Sequence, residues 1–122
     1  MKYELLHLKQ FFPNLGTQSG DPLVKVYLPD NLTEMGRGDE RRPCLIVCPG
    51  GAYEFCSQRE AEPIAFHFLP EGFNVFVLLY SVAPHHYPAQ QCEAAALIEL
   101  INQNADIWHC DTCLLYTSDA AD

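Results

Sequence analysis

Basic residues are scarce in this chain of 122 amino acids. Only 7 lysines and arginines stand against 16 aspartates and glutamates, for a formal net charge of −9. The longest basic run is the pair Arg41-Arg42. Proteins that bind nucleic acids or anionic lipid surfaces need clustered positive charge to neutralise phosphate groups. The sequence therefore predicts that neither nucleic acid nor a membrane is a partner.

Long hydrophobic runs are also missing. No stretch approaches the ~20 apolar residues that a membrane-spanning helix needs. Near the N-terminus, Lys2, Glu4, His7 and Lys9 interrupt the apolar residues, so there is no apolar core of a secretory signal. Hydrophobic residues make up 48% of the chain, which is enough for one modest core. We therefore expect a globular, cytoplasmic protein, whose oligomeric state the sequence does not indicate.

Six cysteines suggest disulfides at first sight, but their surroundings favour free thiols. Cys44, Cys48 and Cys92 stand among apolar residues, where a thiol behaves as a small hydrophobic group. Cys110 and Cys113 form a C-x-x-C pair, a pattern found in redox and metal sites. That interpretation requires both cysteines to belong to the natural protein.

The last ten residues, CLLYTSDAAD, differ in character from the acidic and apolar stretch before them. They resemble, residue by residue, the translation of a sequencing-library transposon adaptor. We therefore expect residues 1–112 to be the N-terminal part of one natural domain and residues 113–122 to be an adaptor-derived tail. Without Cys113 the C-x-x-C pattern is lost, and the sequence predicts no metal site and no cofactor.

Hydrophobic periodicity first indicates an antiparallel pair of strands. Apolar and polar residues partly alternate over residues 1–9 and again over residues 23–28. The segment between them is PNLGTQSGDP, which is rich in turn-forming residues.

A different pattern follows. Residues 44–48 and 75–79 are continuous apolar runs, typical of strands buried on both faces. Helical spacing of apolar residues appears over residues 57–70 and again over residues 89–105, where Ala95, Ile98, Leu100 and Ile101 form the predicted apolar stripe. The fold class is therefore α/β, with two antiparallel strands followed by a βαβα unit.

Two glycines, Gly50 and Gly51, directly follow the first buried run. In an open α/β sheet this is the edge where ligands bind. The glycine patterns of phosphate-binding loops, G-x-G-x-x-G and G-x-x-x-x-G-K-[ST], are absent. Two interpretations remain: a simple turn, or a loop whose backbone N–H groups stabilise a negatively charged oxygen.

Three stretches resemble the α/β-hydrolase fold esterases. PGGAY, residues 49–53, resembles their HGGG-type oxyanion loop, and YSVAPHHYPAQ, residues 80–90, is similar to their signature Y-R-L-A-P-E-H-x-(Y/F)-P-A. SQREAEPIA, residues 57–65, resembles the acetyl-esterase, xylan-esterase or feruloyl-esterase-like subgroup. The resemblance covers residues 42–111 and implies that the predicted strands and helices belong to an α/β-hydrolase sheet.

The resemblance also implies roles for single residues. The backbone N–H groups of Gly51 and Ala52 form the oxyanion hole, Gly50 permits the tight turn beside the substrate, and Tyr53 walls the substrate pocket. Two positions depart from the pattern: Pro49 replaces the usual histidine, and Ala52 replaces a third glycine. Alanine keeps its N–H group, but a positive φ at this position would strain it.

The nucleophile motif of the family, G-x-S-x-G, is missing from the sequence. In this fold the nucleophile, the acid and the histidine of the triad come later in the chain than the second predicted helix. We therefore expect a truncated α/β-hydrolase sheet without the nucleophile-elbow strand. The resemblance implies the inactive N-terminal fragment of a serine hydrolase, whose substrates are small acyl esters, including carbohydrate-linked ones.

Four further residues and two further functions are also candidates. We interpret His85 and His86 as shaping a loop, because adjacent histidines rarely converge on one metal ion. Cys56 and Ser57 have neither the nucleophile motif nor an assignable base. Two alternative functions stay open: a peptidase of the prolyl-oligopeptidase type and a non-catalytic α/β binding module.

Overall fold

The computed structural model describes residues 2–13, 22–29, 41–48, 58–79 and 89–119. These residues form five strands and four helices. In chain order they are β1 (Lys2–His7), α1 (Leu8–Phe11), β2 (Leu23–Leu28), β3 (Arg42–Cys48), α2 (Gln58–Phe68), β4 (Asn74–Leu79), α3 (Ala89–Gln103), α4 (Ala105–Trp108) and β5 (Cys110–Asp119).

All five strands belong to one mixed sheet with the order β1-β2-β4-β3-β5. β1 pairs antiparallel with β2, and β2 pairs antiparallel with β4. β3 runs parallel to both of its neighbours, β4 and β5. The predicted antiparallel pair and the predicted βαβ unit are therefore confirmed, and the βαβ unit places β3 and β4 side by side.

The sheet is buried on both faces in its centre, as the unbroken apolar runs predict. In β3, Cys44 and Ile46 face one core, while Leu45 and Val47 face the other. The first core lies under α1, α3 and α4, and the second lies under α2. Successive side chains of a strand point to opposite faces, so a strand between two helical layers needs apolar residues at every position.

One strand boundary and one helix boundary differ from the prediction. The N-terminal strand ends at His7 rather than near residue 9, because the chain turns into α1 and buries Leu8, whose N–H donates to the carbonyl of Pro22 at 3.0 Å. The predicted helix over residues 89–105 ends at Gln103. There the backbone N–H and the side-chain amide of Asn104 both donate to the carbonyl of Leu100, at 3.1 and 2.9 Å.

The strand β5 was not expected. The sequence predicts a sheet that stops after the second helix, yet Cys110–Asp119 pairs parallel with β3 and includes most of the predicted adaptor tail. The physical reason is that β3 offers a row of backbone groups on its outer side, and the stretch LLYTS is rich in strand-forming residues. Pairing of this kind does not depend on the origin of the segment, so the foreign origin of residues 113–122 stays a prediction.

A buried asparagine joins the amino ends of the parallel strands. Asn74 is 1% exposed, and its Nδ2 donates to the carbonyl oxygens of Trp108 and His109, both at 3.2 Å. These carbonyls lie where α4 ends and the backbone of His109 adopts a left-handed conformation with φ of 53°. Terminal helix carbonyls have no partner inside the helix, and here the amide group of Asn74 supplies one.

We expect Asn74→Ala to lower the free energy of unfolding by about 1–3 kcal/mol, because the buried carbonyl of Trp108 loses its amide donor, whereas the carbonyl of His109 keeps the N–H of Arg42. Urea unfolding followed by circular dichroism measures the change. The matched control is Asn102→Ala, which alters an exposed position of α3 and should change stability by less than about 0.5 kcal/mol. Equal effects of the two substitutions would contradict the bridging role of Asn74.

Candidate active site

The candidate site lies at the carboxyl edge of the parallel strands. Because β3 runs parallel to β4 and β5, Cys48, Leu79 and Asp119 end their strands at the same edge of the sheet. Ligands of open α/β sheets bind outside the carboxyl ends of the strands. The predicted loop residues follow Cys48 directly in the chain.

The residues with predicted roles lie outside the described part of the structure. Gly50, Gly51, Ala52 and Tyr53 belong to residues 49–57, between the end of β3 and the start of α2. Cys56 and Ser57 lie in the same segment, and His85 and His86 lie in another segment outside the described residues. The roles of these residues stay predictions, and the structure defines the elements on either side of them.

The elements that flank residues 49–57 are firmly packed. Val47, the last fully buried residue of β3, belongs to the second core, and Cys48 packs against the first core. On the other side, Ala65 of α2 is fully buried against the sheet, with Phe68 packed beside it. The segment with the predicted oxyanion residues therefore connects two elements that pack on the sheet.

The two motifs of the resemblance follow neighbouring strands. Residues 49–53 come directly after β3, and residues 80–90 come directly after β4 and run into the start of α3. β3 and β4 are hydrogen-bonded neighbours, with Leu45 opposite Val75 and Val47 opposite Val77. The fold therefore brings the ends of the strands that lead into both motifs together, although about 30 residues separate the motifs in the chain.

The sequence did not single out Glu93, a buried carboxylate in α3. Its side chain is 0% exposed, and it has an interaction partner. Charged side chains are almost never fully buried unless they are paired. Since α3 carries the chain from the carboxyl edge of β4 back toward the amino end of β5, Glu93, near the start of α3, lies toward the candidate site.

A different helical phase explains why Glu93 was missed. The structure buries Glu93, Ala96, Leu97 and Leu100, which follow the i, i+3, i+4, i+7 spacing of one helix face. The predicted stripe instead included Ala95, which is exposed. A glutamate at the first position of an otherwise apolar stripe was the available signal.

The described residues also bear on metal binding, membrane insertion and disulfide formation. Among them, no three histidine, cysteine, aspartate or glutamate side chains lie close enough together to hold a metal ion. None of the helices in the described ranges is long and apolar enough to cross a membrane. The four cysteines whose side chains are described are free thiols, and Cys92 is exposed rather than packed among apolar residues.

Comparison with known proteins supplies independent information about the family. No model of a known protein family matches the chain. Endo-1,4-beta-xylanase B from Butyrivibrio fibrisolvens is 32% identical to it over 91 residues, which are 70% of this chain and 14% of that protein.

Solved structures match the chain over almost its whole length. MGS-M1, an α/β hydrolase enzyme from a Medee basin deep-sea metagenome library, is 31% identical, with a TM-score of 0.81 over 96% of this chain and 45% of its own. This chain has the α/β-hydrolase fold. The predicted fold class is thereby confirmed, and so is the family resemblance that the two motifs suggested.

Two further structures share this α/β-hydrolase fold. The acetyl ester-xyloside bifunctional hydrolase from Caldicellulosiruptor lactoaceticus is 24% identical, with a TM-score of 0.82 over 95% of this chain and 42% of that one. The carboxylesterase Cest-2923 from Lactobacillus plantarum WCFS1 is 24% identical, with a TM-score of 0.82 over 98% and 42% of the two chains. Our α/β-hydrolase chain thus spans less than half the length of each of these three solved structures.

We expect Glu93→Ala to lower the free energy of unfolding by about 2 kcal/mol or more, because its partner loses a buried carboxylate. Glu99→Ala is the matched control on the same helix: Glu99 is exposed and accepts only an exposed hydrogen bond from Gln103 at 3.3 Å. Both changes alter helix propensity equally, so the difference between their urea midpoints reports burial alone. A difference of zero would show that the Glu93 carboxylate contributes nothing to stability.

Proposed function

We propose that this chain is the N-terminal part of a serine carboxylester hydrolase that acts on small acyl esters, and that it supplies the oxyanion hole of that enzyme. The observation that carries the proposal is the position of the two motifs. One follows β3 and the other follows β4, two adjacent parallel strands in the centre of an α/β-hydrolase sheet.

In the proposed mechanism the contribution of this chain is electrostatic. A serine nucleophile attacks the ester carbonyl, and the carbonyl oxygen becomes negatively charged in the tetrahedral intermediate. The backbone N–H groups of Gly51 and Ala52 donate to this oxygen. Each preorganised donor of this kind lowers the barrier by about 3–4 kcal/mol. Gly50 permits the backbone to turn, and Tyr53 lines the substrate pocket.

The rigid base of the loop supports this role. Oxyanion donors are effective only when they point at the developing charge before the reaction begins. Val47 has no exposed surface, and β3 is hydrogen-bonded on both sides, to β4 and to β5. The strand that leads into the proposed oxyanion residues is thus fixed on both sides.

The catalytic triad lies outside this chain in the proposal. The sequence contains no G-x-S-x-G motif, and in α/β-hydrolases the nucleophile precedes the acid and the histidine along the chain. We therefore expect the 122-residue chain alone to be inactive. Sequencing the natural gene beyond the codon of Thr112 tests where the nucleophile lies. A G-x-S-x-G motif within about 20 residues supports the hydrolase, and a reading frame without this motif rejects the proposal.

The names of two relatives support the proposed substrate class. One is a xylanase by name, and another is an acetyl ester-xyloside bifunctional hydrolase. Both names point to xylose-containing carbohydrates, and the second also names an acetyl ester. This supports short acyl esters of carbohydrates as substrates of the complete protein.

The oxyanion role predicts a sharp difference between two substitutions at one position of the complete protein. Ala52→Pro removes the N–H donor and should lower kcat for p-nitrophenyl acetate by about 100- to 1,000-fold. Ala52→Gly keeps the donor and should retain kcat within a few fold.

Thermal unfolding by circular dichroism checks that both Ala52 variants are folded. Equal activity of the two folded variants would remove Ala52 from the oxyanion hole.

A further inference from the structure

At the amino edge of the sheet, opposite the candidate active site, three side chains from neighbouring strands meet. Asn74 begins β4, Cys110 begins β5, and Cys44 lies in β3 between them, directly in register with Asn74. The Nδ2 atom of Asn74 donates to the Sγ atom of Cys110 at 3.4 Å. The amide thus reaches across β3 to the thiol on the far strand.

The two thiols belong to the same core. Cys44 and Cys110 are both 0% exposed, neither forms a disulfide, and the amide that donates to Cys110 comes from the residue in register with Cys44. Cys110 is in register with Arg42, two residues before Cys44, where the β3–β5 pairing is irregular. A disulfide requires Cα atoms within about 7 Å of each other, so closing this diagonal pair takes side-chain rotation and a backbone shift at the irregular pairing.

The surroundings make the two thiols unequal. The hydrogen bond from Cys44 lowers the pKa of Cys110, and the amide of Asn74 and the charge of Arg41 act in the same direction. Arg41 is held nearby because its Nη1 donates to the carbonyl oxygen of Cys110 at 3.1 Å. The same thiol–thiol contact, together with burial, raises the pKa of Cys44. Cys110 therefore has the greater thiolate character of the two.

We propose that Cys44 and Cys110 are a redox-active pair, which closes to a disulfide with a small hydroperoxide and reopens with a thiol reductant. The thiolate of Cys110 attacks the peroxide, the O–O bond breaks, and a sulfenic acid and an alcohol form. Cys44 then attacks this sulfur, and its proton leaves with the hydroxide as water. Two thiols and one hydroperoxide thus give one disulfide, one alcohol and one water.

Access to the buried pair requires local opening, and β5 provides it. Among the described strands β5 is at the edge and pairs only with β3. Edge strands open at lower free energy than the centre of a sheet, so the reaction proceeds slowly through transient separation of β5. Once formed, the disulfide holds the amino end of β5 against β3.

Mapping the linkage in the unaltered 122-residue chain tests the proposal. The reduced chain is treated with hydrogen peroxide and then digested without reductant by a protease that cleaves before aspartate, which separates Cys110 from Cys113 at Asp111. Fragmentation spectra should place the bond between Cys44 and Cys110, and a thiol reductant should reverse it. A Cys110–Cys113 bond, an intermolecular bond, or no bond at all would overturn the proposal.

Stability gives a second measurement. Oxidation should raise Tm by on the order of 10 °C, because the disulfide restricts the unfolded chain, and reduction should return it. Cys44→Ser and Cys110→Ser should each abolish the rise. Cys48→Ser on the same strand and Cys92→Ser at an exposed position are the matched controls and should keep it. A rise that survives Cys44→Ser would also overturn the proposal.

Discussion

The burial of β3 on both faces is the constraint on which the rest of this structure depends. Its side chains enter two separate cores, and its backbone pairs on one side with β4 and on the other with β5. Water is excluded from both faces, so every backbone group of this strand has to be satisfied by a neighbouring strand. The two parallel neighbours define the carboxyl edge at which the candidate site lies.

The amino ends and the carboxyl ends of the parallel strands carry different groups. At the amino edge, Asn74 joins β4 to the end of α4, and the thiols of Cys44 and Cys110 fill the space between the strands. These contacts set the position of β5. At the carboxyl edge the strands end in the segments that carry the esterase-like motifs. Stability contacts and proposed catalytic donors are thus separated by the length of the strands.

The outer edge of β3 explains why the C-terminal segment forms a strand. A parallel strand at the centre of an α/β-hydrolase sheet needs a partner on each side, and β5 fills the second position. Backbone hydrogen bonds do not discriminate between sequences, and β5 includes the strand-forming residues Tyr116 and Thr117. The residues that follow α4 are therefore enough to pair with the outer side of β3.

Local pattern indicated the order of the main elements, because burial on one or two faces leaves a periodic trace in the sequence. It predicted the strands over residues 44–48 and 75–79 and both long helices. The fold family came from the resemblance of three short stretches instead. The tertiary structure decided the strand order, the burial of Glu93 and the contact between Cys44 and Cys110. These features depend on residues far apart in the chain, such as Asn74 and Trp108, whose proximity no local periodicity records.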